Sequence, residues 1–592
     1  MRHLCFLSML ALAATLSAVP ACAEEPTPEA EAAIEAARNG GARIKINPRT
    51  GMPSSVSGLK GPTERSALSA AATREPTEKE LKTAFEAHFR LGSLRAAYAA
   101  SNPEARVVST SRVAKDREIP GQYITEGEQR VRDIPVFASK ARAVMNRSLS
   151  VLSASSNLSR VAIQSLEPSI AEADAVATAR KKLAELIARP SAAPQLGPRK
   201  LDAETADAKA ALQIFDPALI ASRGQVTGAT RLAWMVSIET FRIFVDARTG
   251  EVFYYFRDHR SATLVRRVFD LANTGDFPGR RVIDQETRER NEPVPGDADV
   301  AFQYTELVHQ YFEAVLNRKG FDDSTLRPSA AATKGVTLLE SYVRYGEVPN
   351  AYWCTHQSDY CPKADIMIYG PGFAGALDVV GHEMTHGVIA YEADLLYADE
   401  PGAVNESLAD IFGSLIEHRV RGAQGNWKIA ESLPGFEQVP MRDLKNPHLA
   451  AADGAPLFHK DKDFDTANRG QPDHWDEFVR RVDPMCSSLL AEDNGCVHLN
   501  SGILNKMASL IADGGTHHAV AVGAVGHDKL ARIAYRSLTA HLNTGSGMQE
   551  AAEAFVRSCE ELSVAGAGDL KPDDCDQVRR AALAVGRVAP EM

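Results

Sequence analysis

His382-Glu383-Met384-Thr385-His386 constrains this chain more than any other feature, because these residues form one site only when they lie on an α-helix. Residues four apart on a helix are offset by about 40° around the axis, so both imidazoles reach one point beside it, while Glu383 projects about 100° from His382. The preceding run Ala376-Leu-Asp-Val-Val380 is compatible with a helix. Zinc in a catalytic site takes three protein ligands and keeps a fourth position for water, so another ligand has to come from elsewhere. Asn405-Glu406-Ser-Leu-Ala-Asp410 offers one. Glu406 and Asp410 are also four apart, so one helix face presents a carboxylate to a metal and a second carboxylate to an imidazole N–H, a bond that fixes the tautomer of a ligand histidine. Ile411-Phe412-Gly-Ser-Leu415 beside them favours burial, and a buried carboxylate needs a partner. In Asp493-Asn-Gly-Cys-Val-His498-Leu-Asn-Ser-Gly502, a histidine follows a tight turn and precedes a helix. Alone it is an ordinary histidine. With the other residues, His498 becomes a donor to a developing oxyanion and Asp493 its orienter.

The whole chain is too long for one hydrophobic core. Single cores stop growing at roughly 250–300 residues, so 592 residues imply two to four domains. With 66 Lys+Arg against 77 Asp+Glu the net charge is -11, which removes the attraction that sequence-independent nucleic-acid or anionic-membrane binding needs. Arg2 and His3 precede an apolar run from Leu4 to Val19, and Ala21-Cys22-Ala23 offers small residues for signal peptidase, so residues 1–23 read as a secretory signal. That run is shorter than the roughly 20 residues needed to span hydrocarbon, and no later run approaches this length. A lipoprotein-type cleavage before Cys22 is a weaker alternative. Outside the signal, Cys354, Cys361, Cys486, Cys496, Cys559 and Cys575 form three close pairs. In an exported chain this grouping favours disulfides Cys354–Cys361, Cys486–Cys496 and Cys559–Cys575 over other pairings.

Residues 24 to about 75, rich in Ala, Glu, Pro and Gly, read as a poorly ordered leading segment. From 76 to 160, a helical pattern near Glu78 to Arg95 and strand-like runs at Ile134-Pro-Val-Phe137 and Ser148-Leu-Ser-Val-Leu152 predict a small α+β unit. Ser169-Ile-Ala-Glu172 has capping-box spacing and opens a helix to about Ala188, followed by a proline-rich loop from Pro190 to Pro198. Strands at Leu232–Ile238, Phe241–Val245 and Glu251–Phe256 complete a second α+β unit near residue 260. Strands dominate up to about 375. Helical periodicity takes over beyond it, at Asp528–His541, Met548–Leu562 and Asp574–Val585. Twelve of the 16 histidines lie at or after His356, which concentrates chemistry in the C-terminal half.

At these residues the sequence resembles the thermolysin-like neutral metalloproteases. Gly381-His-Glu-Met-Thr-His-Gly-Val388, Gly402-Ala-Val-Asn-Glu-Ser-Leu-Ala-Asp-Ile-Phe-Gly413 and Asp493 to Gly502 match three of that family's motifs in order. Agreement extends to Pro349-Asn-Ala-Tyr-Trp353, Tyr397, Arg442, Pro472-Asp-His-Trp475 and Gly514-Gly-Thr-His517. The likeness covers about residues 263 to 590, and weaker motifs upstream resemble that family's prosequence.

The resemblance implies an α+β fold: a two-lobe catalytic unit, β-rich then α-helical, preceded by an α+β propeptide. The implied boundaries are 1–23 signal, 24–262 propeptide (modules 76–160 and 165–260), 263–395 N-terminal lobe with the zinc helix, and 396–592 helical lobe. It implies a zinc endopeptidase in which His382, His386 and Glu406 hold Zn²⁺ and Glu383 is the general base. Tyr397 and His498 donate to the oxyanion, Asp493 orients His498, and Asp410 and Asn405 bond outside the ligands. Asn350 and Ala351 hold substrate backbone, Arg442 a substrate carbonyl, and Val379, Ile429 and Met441 wall a pocket for a large apolar residue after the scissile bond. Asp378, Glu417, Asn426 and Glu431 match calcium positions, but Asn426 and Lys428 stand where the two-ion form has carboxylates, so one Ca²⁺ at most is expected. The implied partners are protein or peptide substrates and the chain's own propeptide, acting as folding assistant and inhibitor and removed near residue 260 to 270. The implied product is a secreted or periplasmic monomer. A zinc amidase or aminopeptidase, or a non-enzymatic zinc-binding module, are the rival readings.

Overall fold

The computed structural model describes residues 28–47, 50–57, 75–91, 96–98, 102–116, 119–163, 165–187, 208–220, 229–238, 241–257, 266–285, 289–318, 321, 339–347, 350–354, 366–450, 470–480, 486 and 493–587. The signal region with Cys22, the proline-rich stretch 190–198, residues 258–265 and Cys361 lie outside these residues.

The N-terminal region contains α1 (Pro28–Asn39), β1 (Arg43–Ile46), β2 (Pro53–Ser57), α2 (Glu78–Leu91), β3 (Ala105–Lys115), β4 (Gln122–Val131), β5 (Ile134–Asn146), β6 (Val151–Asn157), α3 (Glu172–Ile187), β7 (Ala208–Phe215), β8 (Arg231–Ile238), β9 (Phe241–Asp246) and β10 (Val252–Arg257). Its ten strands join in the order β1-β2-β6-β5-β7-β8-β9-β10, with β4 beside β5 and β3 beside β4. The leading segment is therefore not poorly ordered throughout. Ala30 and Ile34, four apart, bury one face of α1, and β2 pairs with β6 through Ser55↔Ser155, Val56↔Ala154 and Ser57↔Ser153. Short, serine-rich strands carry little local signal, and their stability comes from partners far along the chain. The two predicted α+β units also share this sheet, joined where Val136 of β5 pairs parallel with Ile214 of β7. The predicted turn after β9 has a clear cause. The Asp246 carboxylate accepts from the Arg248 and Thr249 amides, and Gly250 adopts φ 77°.

A second sheet contains β11 (Arg266–Thr274), β12 (Arg280–Asp284), β13 (Glu289–Arg290), β14 (Leu339–Tyr345), β15 (Ala351–Cys354) and β16 (Ile366–Tyr369) in the order β13-β12-β11-β14-β16-β15, which leaves β15 at an edge. Between β13 and β14 lies α4 (Gly296–Leu316), a long helix in the stretch read as strand-rich. Its buried Ala298, Ala301, Thr305, Val308, Phe312 and Val315 recur every three to four residues, and β11 and β14 run parallel, a pairing that requires such a crossover.

From residue 377 helices dominate, as predicted: α5 (Leu377–Tyr391), α6 (Asp399–Arg421), α7 (Val497–Asp513), α8 (His527–Arg536), α9 (Met548–Val564) and α10 (Pro572–Ala584). Two short hairpins interrupt them, β17 (Lys428–Ile429) with β18 (Arg442–Asp443), and β19 (Gly515–His517) with β20 (Val520–Val522). Cys486–Cys496 and Cys559–Cys575 are disulfides. No helix among the described residues is long and apolar enough to cross a membrane.

One core runs from β11 to α10 with α5 inside it. Close contact between α5 and α6 depends on two glycines. A Cβ on Gly413 would lie 2.5 Å from the Asp378 carbonyl oxygen, and one on Gly381 would lie 3.1 Å from the Gly413 Cα. Larger residues there would push the helices apart. The N-terminal region docks onto the helical half. Phe215, Phe244, Tyr254 and Phe256 share an apolar cluster with Leu396 and Ala398. Buried Arg142 donates to the carbonyls of Leu538 (2.7 Å) and Glu392 (2.5 Å), and Arg536 pairs with Asp116 at 2.6 Å.

Candidate metal centre

The crossing of α5 and α6 brings three side chains together. His382 and His386 sit one turn apart on α5, their Nε2 atoms 2.9 Å from each other. Glu406 on α6 places Oε2 3.4 Å from His382 Nε2 and Oε1 3.4 Å from His386 Nε2. Glu406 is wholly buried, and its Oε2 has no hydrogen-bond partner among the described residues. Two imidazole nitrogens aimed at each other cannot both carry protons, and a buried carboxylate oxygen without a donor is costly. A divalent cation relieves both, so these residues fit Zn²⁺.

Hydrogen bonds hold each ligand from behind. His382 Nδ1 lies 2.8 Å from Asp410 Oδ1, and His386 Nδ1 lies 2.9 Å from Asn405 Oδ1. Asp410 in turn accepts from Arg442 Nε at 2.8 Å and from Asn505 Nδ2 at 2.8 Å. Sequence reasoning did not single out Asn505. It lies two turns beyond His498 on α7, and that spacing was its only signal.

Electrostatics follow this geometry. Burial pushes His382 down, but the bonds from Asp410 and Glu406 outweigh it and hold the imidazole at about 10. His386, with a neutral amide behind it, is lowered to about 4 by burial, against Glu406. Burial raises Glu406, yet the surrounding His498, His386 and His382 hold it well below the ordinary carboxylate range. Glu383 next to His382 is raised by burial, with the His382 charge opposing and Glu406 adding.

Two further side chains approach the same carboxylate. Tyr397 OH donates to Glu406 Oε1 and lies 3.3 Å from His498 Nε2, which is itself 3.4 Å from Glu406 Oε2. His498 Nδ1 is 2.5 Å from Asp493 Oδ1, and Asn494 Nδ2 donates to the Tyr397 carbonyl at 2.8 Å.

The remaining expected residues are more scattered. Asn350 precedes edge strand β15, its Oδ1 accepting from the Ala351 amide at 2.9 Å. Val379, Ile429 and Met441 are buried in the main core. Asp378, Glu417 and Glu431 lie close enough to repel. Burial, then Glu431, lifts Asp378 to about 7, while burial, then Asp378 and Glu431, lifts Glu417 to about 8. They do not converge as the zinc candidates do, and no trio of described residues with ligand atoms within 4.8 Å of one another includes them. The Asn426 amide instead donates to Glu417 Oε2 (3.4 Å) and Glu431 Oε1 (2.8 Å).

The family profile described as "Thermolysin metallopeptidase, catalytic domain" matches residues 239–390, and that described as "Thermolysin metallopeptidase, alpha-helical domain" matches residues 393–586. Thermostable neutral protease NprT of Geobacillus stearothermophilus is 30% identical over 320 residues, 52% of this chain and 49% of its own. Thermolysin of Alicyclobacillus acidocaldarius subsp. acidocaldarius gives the same 30% over 320 residues, again 52% and 49%. Protease PrtS of Photorhabdus sp. (strain Az29) is 32% identical over 332 residues, 54% of this chain and 74% of its own. The chain thus spans about half the length of the first two relatives and about three quarters of the third. With both domain profiles matched in order and most of PrtS covered, the chain belongs to the thermolysin metallopeptidase family.

Proposed function

We propose that this chain is a zinc endopeptidase, exported and made with an inhibitory prosequence. The observation carrying this reading is the meeting of two helices at His382, His386 and Glu406, with Tyr397 and His498 reaching the same carboxylate. His382 Nε2, His386 Nε2 and a Glu406 oxygen are assigned as ligands. Zn²⁺ held there supplies a water with a pKa near about 7 and a Lewis acid for a peptide carbonyl. Glu383 is assigned to take the proton from the attacking water and pass it to the leaving amine; burial raises its pKa above the ordinary carboxylate value. Tyr397 OH and His498 Nε2 donate to the developing oxyanion. Burial lowers His498, but Glu406 and Asp493 outweigh it, so its ring stays protonated more readily than a free histidine. Asp493 orients His498, and Asp410 and Asn405 fix the two ligand rings.

Asn350, just before the edge strand, and Ala351, its first residue, suit backbone pairing with an extended substrate, which favours proteins and peptides as substrates with little dependence on their sequence. Arg442, anchored by Asp410, is assigned to a substrate carbonyl beyond the scissile bond, and Val379, Ile429 and Met441 to the wall that favours a large apolar residue after it. The prosequence reading is supported by the aromatic cluster packed on Leu396 and Ala398, the two neighbours of Tyr397. Internally quenched peptides should be cleaved while free amino-acid amides are not. Preference for the amides would instead indicate an amidase or aminopeptidase.

Tyr397→Phe should lower kcat by about 10² to 10³ with zinc content and KM little changed, because one oxyanion donor is lost. Steady-state kinetics with a parallel metal assay test this, and unchanged kcat would remove Tyr397 from the chemistry. For calcium, the Asn426 amide already bridges Glu417 and Glu431, so we assign one Ca²⁺ at most. Calorimetric titration should saturate at no more than about one ion. Two would contradict the assignment.

A further inference from the structure

A second group of metal-binding side chains lies apart from His382, His386 and Glu406. Among the described residues, ligand atoms of His448, Asp473 and Glu477 fall within 4.8 Å of one another, and so do those of Asp473, His517 and His518. Asp473 is common to both. Its Oδ1 is buried without a hydrogen-bond donor in good geometry, yet His517 Nε2 lies 3.4 Å and His448 Nε2 3.7 Å from that atom. Glu477 Oε2 lies 2.9 Å from His448 Nε2. Four ligands at about 2.1 Å in a tetrahedron stand about 3.4 Å apart, close to the Asp473–His517 and Asp473–His448 spacings. The two trios share only Asp473, so His517 has to move toward His448 and Glu477 for all four to close on one ion. The spacings also match those of 2.9 and 3.4 Å at His382, His386 and Glu406.

We propose that His448, Asp473, Glu477 and His517 bind a second divalent late first-row transition ion, Zn²⁺ being the natural occupant in a zinc protein. Two imidazoles and two carboxylates favour such an ion over Ca²⁺ or Mg²⁺, which prefer oxygen ligands throughout. The local structure already aims the donors. His448 lies in a 3₁₀ turn (Pro447–Leu449), and Glu477 ends another (Trp475–Glu477), where its Oε2 accepts from the Asp473 amide at 3.1 Å. His517 ends β19, immediately before the tight turn formed by His518 and Ala519, both at positive φ. His448 and Glu477 are about half exposed, with side-chain exposures of 49% and 40%, so an ion can enter from solvent. Three separate segments would then be tied together. Gln471, two residues before Asp473, donates to the His498 carbonyl at 2.6 Å, so the ion would steady the strap lying against the start of α7.

The competing arrangement satisfies the donors without an ion, with His517 Nε2 donating to the Asp473 carbonyl at 3.1 Å and His448 paired with Glu477. Metal content decides between them. The full chain is equilibrated with Zn²⁺ in calcium-containing buffer, freed of loose metal by gel filtration and analysed by plasma mass spectrometry alongside His448→Gln and His517→Gln. Wild type should hold about two zinc ions and each variant about one. In His517→Gln the new side-chain amide can still donate to the Asp473 carbonyl, and position 448 is exposed, so both variants should fold, with circular dichroism as the check. About one ion in wild type that is lost in Glu406→Gln, or about two in either variant, overturns the proposal. One ion in wild type that persists in Glu406→Gln and is lost in His448→Gln would instead count against the site at Glu406.

Discussion

Glu383→Gln should retain zinc yet lose about 10² to 10⁴ in the rate of peptide hydrolysis, the range attributed to a positioned general base. The glutamine keeps the size of the side chain but cannot accept the proton of the attacking water. Glu383 is not among the three residues whose ligand atoms converge, so metal content should stay at the wild-type level. Casein hydrolysis should stop, and since we propose that the chain removes its own prosequence, the purified product should keep its N-terminal region. Intact mass, metal analysis and a casein assay on one preparation read all three. Hydrolysis near the wild-type rate would remove Glu383 from the role of base.

Glu406→Gln should have the opposite metal signature. Changing an outer hydrogen-bond partner typically weakens metal binding by 10- to 100-fold, so replacing a ligand should weaken zinc by at least about 10², with activity lost alongside. The chain itself should still fold. The glutamine keeps the shape of Glu406, and its carbonyl oxygen can still accept from Tyr397 OH, so the buried position stays filled. In chelator the two chains should therefore unfold at similar temperatures, while added zinc should raise the transition of wild type far more than that of the variant. Equal zinc affinity in the two chains would exclude Glu406 as a ligand.

The sequence made the metal centre legible because its geometry is local. His382 and His386 share a face by helical spacing alone, and Glu406 and Asp410 do the same on α6. That the two faces meet depends on Gly381 and Gly413, whose missing side chains set the helix separation, and no periodicity revealed this. Asn505 escaped notice because its role is fixed by where α7 crosses α6. The Asp473 cluster escaped because His448, Asp473 and His517 come from three segments with no common spacing. The C-terminal helices were readable from their apolar periodicity. The β1–β2 hairpin was not, because Ser55, Ser57, Ser153 and Ser155 give no alternation of apolar and polar residues. Helix α4 carries a periodic apolar face from Ala298 to Val315, but the strand-like runs on either side of it mask that signal.

The central claim is that one ion joins α5 to α6 while keeping a position open for solvent. Anomalous scattering at the zinc edge from crystals of the full chain tests it most directly. A peak is expected about 2.0 to 2.2 Å from His382 Nε2, His386 Nε2 and a Glu406 oxygen, with a water or hydroxide completing the shell. A peak held by four protein side chains, or Glu406 turned away from the two imidazoles, would contradict it.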